Sequence, residues 1–500
     1  MDRRGPRGIS GLAAALLVGS LVSCTWVAWR GHTPDRRVRV VVREKSGRQF
    51  VIRDGAREPS FDGIAVEGIA FSDDGRHLAY PARRGGRWCV VTDGVPGPFC
   101  EGVGFVRFGP GSAAPAYAIL RKGKWVVVKD GSEGPALDSI LAGSLAFSPD
   151  GSHLAYAGTL SGSSYVVMDG LAGPGYDGIA ELSFSADSQH WVYIGRTGSL
   201  VRIVGDGTEG PTHDEIQEPR LSSSGGRLAY AARDGREWHV LSDGEKGPDF
   251  DAVHSLTFDP SGKSLAYVGI FDRRAAVVRD GKRGEAYDEI VTGSLIFSPN
   301  GRDLAFMAVQ GGRMAAVLNG LPGPWNESVS NLAFDPCDGA LIYIQGEGEI
   351  CRWVRNGVPG TDWSWIGQGV FSPGCRFGYI ARGKDGMRVL IDGKEFPVEL
   401  AVDGSLVFSD DGKHWACLAG DPKIKKLFVI VDSLHIRRPF DWEEMAGEIL
   451  RFPPGTIRLA EAADSLRRWV KAELDLAIAE DPGKGTQGSE TAISLKNSGA

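Results

Sequence analysis

The sequence predicts an all-β protein made of repeated four-stranded antiparallel sheets, and three observations carry that prediction. A ten-residue phrase recurs, as FSDDGRHLAY at Phe71–Tyr80, FSPDGSHLAY at Phe147–Tyr156, FDPSGKSLAY at Phe258–Tyr267 and FSPNGRDLAF at Phe297–Phe306. Its leading position falls at 71, 108, 147, 184, 221, 258, 297, 334, 371 and 408, with Phe everywhere except Leu221, so every step is 37 or 39 residues. A second phrase follows each copy, as VVMDGLAGPGYDGI at Val166–Ile179 and VVRDGKRGEAYDEI at Val277–Ile290. A fixed period of this length marks stacked supersecondary units.

Each element of one unit follows from its composition. Gly143–Ser148 reads as a strand, Pro149-Asp150-Gly151 as a turn and His153–Ala157 as a second strand. Ser164–Met168 is a third strand, stopped by Asp169-Gly170, and Gly175–Ile179 is a short fourth. Short strands joined by Gly/Asp turns with no helical period make one small antiparallel sheet. Such a sheet cannot bury both faces alone, but copies stacked radially can, and that is a propeller blade. The recurring Phe then packs between blades. The Asp-Gly pair supplies a positive-φ hairpin turn, and Asn319-Gly320 and Asn356-Gly357 replace it with the same chemistry.

Ten units carry a first strand. An eleventh fragment, Arg37–Ile64, shows only later strands and is expected to close the structure by joining the unit around Phe408. Ten or eleven units exceed the four to eight blades of common propellers. The count favours two rings dividing near Pro219, whereas the unbroken period favours one large ring. Beyond Asp432 the repeat stops. Asp441–Ile449 reads as a short helix, and Thr456–Glu480 as a longer one with Leu459, Ala463, Leu466, Val470, Leu474 and Ala477 on one face. The chain therefore divides into a signal or anchor (1–24), a linker (25–36), the repeat region (37–440), C-terminal helices packed as a cap (441–480) and a disordered polar tail (481–500).

The recurring phrase resembles the signature F-S-P-D-G-x-x-L-A-Y of TolB-like, WD-repeat-like propellers over residues 66–432. The resemblance implies a binding scaffold of the bacterial envelope and no particular ligand. The element at Gly173–Ile179 departs from that signature, and Gly109-Pro110-Gly111 and Ser222–Gly226 are degenerate copies.

Composition and the N-terminus narrow the setting. The chain is 42% apolar and 24% charged, with net charge −7. A nucleic-acid partner wants a basic face, which this balance does not offer. Arg3, Arg4 and Arg7 precede an apolar run from Ile9 to Val22, the pattern of an export signal. Leu21-Val22-Ser23-Cys24 resembles a bacterial lipobox, which makes Cys24 the expected lipid anchor. An uncleaved membrane helix over Ile9–Trp29 and simple secretion are the alternatives. All three place the rest of the chain outside the cytoplasm, in the periplasm or at the cell surface.

Six cysteines remain. Cys89 and Cys100 flank the turn at Asp93–Gly97 and are the expected disulfide in an oxidising compartment. Cys337 and Cys375, at neighbouring positions of consecutive repeats, form a second candidate pair, and free buried thiols are the alternative. No C-x-x-C supports structural zinc.

No motif assigns catalysis, a cofactor or a metal. His77, His153, His190 and His414 share one repeat position, six after the leading Phe, so they are expected to bond within their own blades. Asp62, Glu101, Asp138, Asp177, Asp214, Asp251, Asp288 and Glu327 keep the repeat step and are expected on the last strand, accepting bonds from a neighbouring turn. Gly262-Lys263-Ser264 lacks the upstream Gly of a phosphate loop, and no G-x-S-x-G occurs.

The expected function is therefore a non-catalytic, membrane-tethered scaffold that binds a protein, peptide or glycan of the envelope. Its contacts are sought where repetition does not explain the residue: Arg83, Arg84, Arg87, Arg273, Arg274, Trp363 and Trp365. Two rival readings are an enzyme of lyase or glycoside-hydrolase type, with carboxylates at the channel mouth, and a structural assembly platform that uses the tail helix.

Overall fold

The computed structural model describes residues 26–32, 39–421, 426–432 and 434–441, together with 467, 470, 471 and 474. The repeat region forms eleven antiparallel sheets in chain order, spanning 26–61, 63–96, 102–133, 139–176, 178–213, 215–250, 252–287, 289–322, 328–359, 365–398 and 400–441, hereafter sheets 1 to 11. Each runs as a simple meander, first strand to fourth, which is blade architecture of the propeller type. Sheet 5 is typical, with strands Gly178–Phe184, Trp191–Thr197, Leu200–Gly205 and Thr208–His213.

The two step lengths have a structural cause. Sheets 3, 5, 6, 7 and 9 have a continuous first strand interrupted by a bulge, as between Ala180 and Ser183. Sheets 2, 4, 8, 10 and 11 instead have a first strand split into two pieces, such as Ser139–Ile140 and Ala146–Phe147 in sheet 4, both pairing with the second strand, and the two 39-residue steps lead into sheets 4 and 8 of this kind. The two extra residues lie in the loop between the pieces.

At six of the ten junctions one residue separates the fourth strand of a sheet from the first strand of the next: Tyr176 ends one, Asp177 intervenes and Gly178 begins the other. The element expected as a fourth strand at Gly175–Ile179 therefore straddles two sheets, and the acidic series sits at these junctions rather than on the last strand.

Sheet 1 corrects two expectations. Trp26–His32, placed in a linker, is its first strand and pairs with Arg39–Lys45. Sheet 11 has its own fourth strand, Leu434–Asp441. The N-terminal strands and the unit around Phe408 therefore form separate sheets and do not complete one another. Strand packing joins every consecutive pair of sheets, including those on either side of Pro219, so the array has no break there. Packing of that extent does not join sheet 1 to sheet 11 among the described residues.

Hydrophobic clusters fill the spaces between sheets. The second and third strands carry runs such as Leu78–Tyr80 and Val166–Val167, buried on both faces. An aromatic at the end of one fourth strand meets the LAY tyrosine of the next sheet edge to face, as Phe61 with Tyr80, Tyr176 with Tyr193 and Phe250 with Tyr267. Such pairs add about 0.5–1.5 kcal/mol beyond the area they bury. The outer strands of sheets 2, 8 and 9 are shortened to two residues ending in Pro96, Pro322 and Pro359, which blunts an exposed edge against further pairing.

Cys89 and Cys100 are separate buried thiols. Cys100 lies opposite Trp88, so Cys89, one residue along, points to the other face of the strand. Cys89 joins the core between sheets 1 and 2, and Cys100 the core between sheets 2 and 3. The disulfide is Cys337–Cys375, with Cα atoms 5.8 Å apart, linking equivalent turns of sheets 9 and 10.

In the C-terminal segment, residues 467, 470, 471 and 474 are helical. Arg467 donates to the carbonyl of Gly404 and to Gln368, Lys471 pairs with Asp410, and Val470 and Leu474 are fully buried. Asp441, expected to begin a helix, ends the last strand, and the rest of that expected helix (442–449), the polar tail and Cys24 lie outside the described residues. Among the described residues no helix is long and apolar enough to cross a membrane.

Candidate functional site

The residues that repeat are occupied in holding the sheets. Ser148 accepts the amide of His153 and donates to Asp150, which in turn accepts the amide of Ser152. His153 Nδ1 bonds Asp169 of the Asp-Gly turn (2.6 Å), whose other oxygen accepts the amide of Leu154 (2.9 Å). The same pairing recurs at His77–Asp93, His190–Asp206 and His414–Asp432, each within one sheet. Arg227–Asp243 and Arg376–Asp392 substitute for it.

The acidic series clips hairpins. Asp177 accepts the amide of Gly198 at 2.7 Å, and Asp62, Asp138, Asp214, Asp251, Asp288 and Glu327 do the same for Gly85, Ser161, Gly235, Asp272, Gly311 and Gly348. Glu101 takes two amides, those of Lys122 and Gly123, and these bonds hold its carboxyl below the usual range. Every member lies where a second-to-third-strand turn needs an acceptor. The first-strand bulge residue Glu218 is likewise engaged, by the amides of Ser255 and Leu256 in the next sheet.

The predicted contact residues divide. Arg83, Arg84, Arg87 and Arg274 lie exposed at or beside hairpin tips, and Arg273 is in the turn itself, with φ +62°. Arg83 sits over Trp88, Arg84 covers Phe61 and donates to Ser60, and Arg87 and Arg274 donate to Phe99 and Ala286. Trp363 is only 5% exposed. It fills the inter-sheet aromatic position held elsewhere by Phe61 and Tyr176, so it is core and not a contact. Trp365 is half-buried against the core of sheets 10 and 11.

An apolar groove opens between sheets 3 and 4. It has a volume of ≈ 390 Å³ and is lined by Phe105, Trp125, Ile140, Leu141 and Leu145, with Arg107 as its charged group. The longer first strand of sheet 4 makes one wall, because its inserted loop carries Leu141 and Leu145. Gly104 leaves room on the other: a Cβ there would stand 3.2 Å from the Trp125 ring.

A second feature escaped the sequence reading. His213, Asp234 and His239 come together where sheets 5 and 6 meet. His213 ends the fourth strand of sheet 5, Asp234 ends the second strand of sheet 6 and His239 lies in its third strand. His213 Nδ1 is 3.0 Å and 3.2 Å from the two Asp234 oxygens, and His239 Nε2 is 3.5 Å from Asp234. Burial pushes the His239 pKa down, helped by Lys246 and His213 and opposed by Asp234 and Asp249, which favours a neutral imidazole. The available signal was an alignment of the repeats, which sets His213 in a column of core residues: Phe61, Tyr176, Phe250, Tyr287 and Trp363.

The comparisons with known proteins add little to this. No protein-family model matches the chain, and no curated protein matches it significantly. Among solved structures, a eukaryotic initiation factor is 12% identical, covering 69% of this chain and 88% of its own, at TM-score 0.32. TolB from Acinetobacter baumannii is 14% identical, covering 52% and 65%, at TM-score 0.21. The hydrazine synthase of Kuenenia stuttgartiensis is 13% identical, covering 53% and 99%, also at 0.21. The class of protein is thus defined by its own strand pairing: a stacked-blade, propeller-type all-β protein.

Proposed function

We propose that this chain is a non-catalytic binding scaffold held outside the cytoplasm at a membrane, and that the groove between sheets 3 and 4 receives its partner. The groove carries the reading because its apolar lining, with Phe105, Trp125, Leu141 and Leu145, opens between sheets 3 and 4 beside a single arginine. Elsewhere the bulge residue Glu218 and the junction carboxylates bond backbone amides. A groove with apolar walls and one arginine suits a protein or peptide segment with a bulky apolar side chain beside an acid. The basic start, the apolar run and Cys24 support export and lipid anchoring.

Two measurements test this reading. A photo-crosslinking residue at Leu141 should give a discrete adduct in envelope preparations that a probe at the exposed Ser132, on the outer strand of sheet 3, does not. Equal labelling at both positions, or none, would remove the groove from the proposal. Mass spectrometry of the mature N-terminus should find acylated Cys24, and a Cys24→Ser protein should leave the membrane fraction. An unprocessed Met1 terminus would replace the lipid anchor with a membrane helix.

A further inference from the structure

We infer that His213, Asp234 and His239 form a binding site for a divalent transition-metal ion joining sheets 5 and 6. The site is independent of whatever the groove receives. Three departures from the repeat converge in it. The His213 position is elsewhere filled by core side chains, and the equivalents of His239 include Cys89, Val126, Ala276 and Ala315. The equivalents of Asp234 include Arg84, Arg121, Phe271 and Gln310. No other unit places a ligating residue at all three positions, so the needs of the repeat do not explain the cluster.

The geometry also suits a metal ion. Both rings are buried, His213 to 6% and His239 to 2% exposure, while Asp234 is 54% exposed and opens the site to solvent. The nitrogens that face Asp234 are Nδ1 of His213 and Nε2 of His239, and the opposite ring nitrogens, Nε2 of His213 and Nδ1 of His239, make no hydrogen bond. His239 stands 3.5 Å from Asp234 on one side and from Asp249 on the other, too far for a good hydrogen bond to either. Metal bonds of about 2.0–2.1 Å in a tetrahedral site imply ligand separations of roughly 3.3 Å. The observed 3.0–3.5 Å between Asp234 and each histidine brackets that figure.

Two imidazoles and a carboxylate are a borderline donor set, suited to zinc, iron or cobalt and not to calcium or magnesium. Asp249 lies on the far side of His239, 3.5 Å from Nδ1, and is itself held by Lys246 at 2.8 Å. Three protein ligands leave a coordination position towards solvent for water or an incoming donor atom.

The test uses the full-length protein stripped with a chelator and titrated with Zn²⁺, following metal content and thermal midpoint. One zinc per chain and a zinc-dependent rise in the midpoint are expected, with neither produced by Mg²⁺. Asp234→Asn, a change at an exposed side chain that should leave the fold intact, should weaken zinc binding by about tenfold or more. The double variant His213→Gln/His239→Gln should abolish stoichiometric uptake, and His190→Gln should retain it. Failure of the stripped protein to take up zinc, or unchanged affinity in Asp234→Asn, would overturn the assignment.

Discussion

Tyr80 and Tyr156 occupy the same repeat position, and their hydroxyls have opposite fates. Tyr80 donates to Glu58 at 2.7 Å, whereas the Tyr156 hydroxyl is buried without a partner and its pKa is pushed up to about 12 by burial. Removing an unsatisfied hydroxyl costs little, but removing one that serves a half-buried carboxylate strands the partner. Tyr156→Phe should therefore be neutral or stabilise by up to about 1 kcal/mol, and Tyr80→Phe should destabilise by about 1–3 kcal/mol, read from denaturant midpoints. Gly151 makes a sharper demand. Its φ is +74°, and a Cβ would lie 2.2 Å from the Pro110 carbonyl oxygen in the preceding sheet. Backbone cannot swing aside as a side chain can, so Gly151→Ala should cost about 2 kcal/mol or more. At this scale the sequence was readable wherever a residue repeats, because recurring copies of the Asp-Gly turn or of the position-six His expose a common local role. It was less readable at Cys89 and Cys100. There, symmetry about a turn suggested proximity, but a one-residue offset in register sends alternate side chains to opposite faces.

Between sheets the connections are polar as well as apolar, and their charge state sets the response to acid. Glu101 is held below its ordinary 4.5 by the amides of Lys122 and Gly123. Asp138 is held below 3.8 by Lys124 and the Ser161 amide, and Asp411 falls to about 2 through Ser409 and the Lys413 amide. A carboxyl with a depressed folded pKa contributes stability above its unfolded value and loses it as pH falls through the folded value. The thermal midpoint should therefore decline from about pH 4.5 towards pH 2 as these clips are protonated. His190 works in the other direction. Its pKa is raised by Asp206, so its contribution is full below 6.5 and fades as pH rises through the folded value. A midpoint that stayed flat from about pH 5 to pH 2 would contradict the carboxylate clips. The disulfide acts on the same scale. Cys337–Cys375 closes a loop with a sequence separation of 38, for which chain entropy predicts about 4 kcal/mol. Reduction, or Cys375→Ser, should lower the midpoint of the sheet 9–10 region in hydrogen exchange, while Cys89→Ser under reducing and oxidising conditions should respond identically. The two-residue difference between steps was visible in the sequence, but its structural meaning in sheet 4, a longer loop between the two pieces of the first strand that builds one wall of the groove, depends on long-range pairing that spacing alone does not reveal.

The whole molecule is a row of eleven sheets in which each packs on the next. Stability in such an array is a sum of local and nearest-neighbour terms, and an end sheet needs something over its outer face. Sheet 11 meets that need. Ala416, Leu418, Val429 and Val431 alternate with the residues that face sheet 10, so they point outward, yet all are buried. Val470 and Leu474, four residues apart on one helical face, are buried as well, and Arg467 and Lys471 fix the helix to sheets 10 and 11 through Gly404, Gln368 and Asp410. The described helical residues thus lie against sheets 10 and 11. The absence of extensive packing between sheets 1 and 11 among the described residues makes this end a boundary, and it is where unfolding should begin if those helical residues are displaced. Val470→Asp together with Leu474→Asp should lose amide protection first in sheets 11 and 10, leaving sheets 3 to 7 protected as in the parent protein. Simultaneous loss of protection across all eleven sheets would mean that the ends are coupled, as in a closed ring, and that the nearest-neighbour description fails.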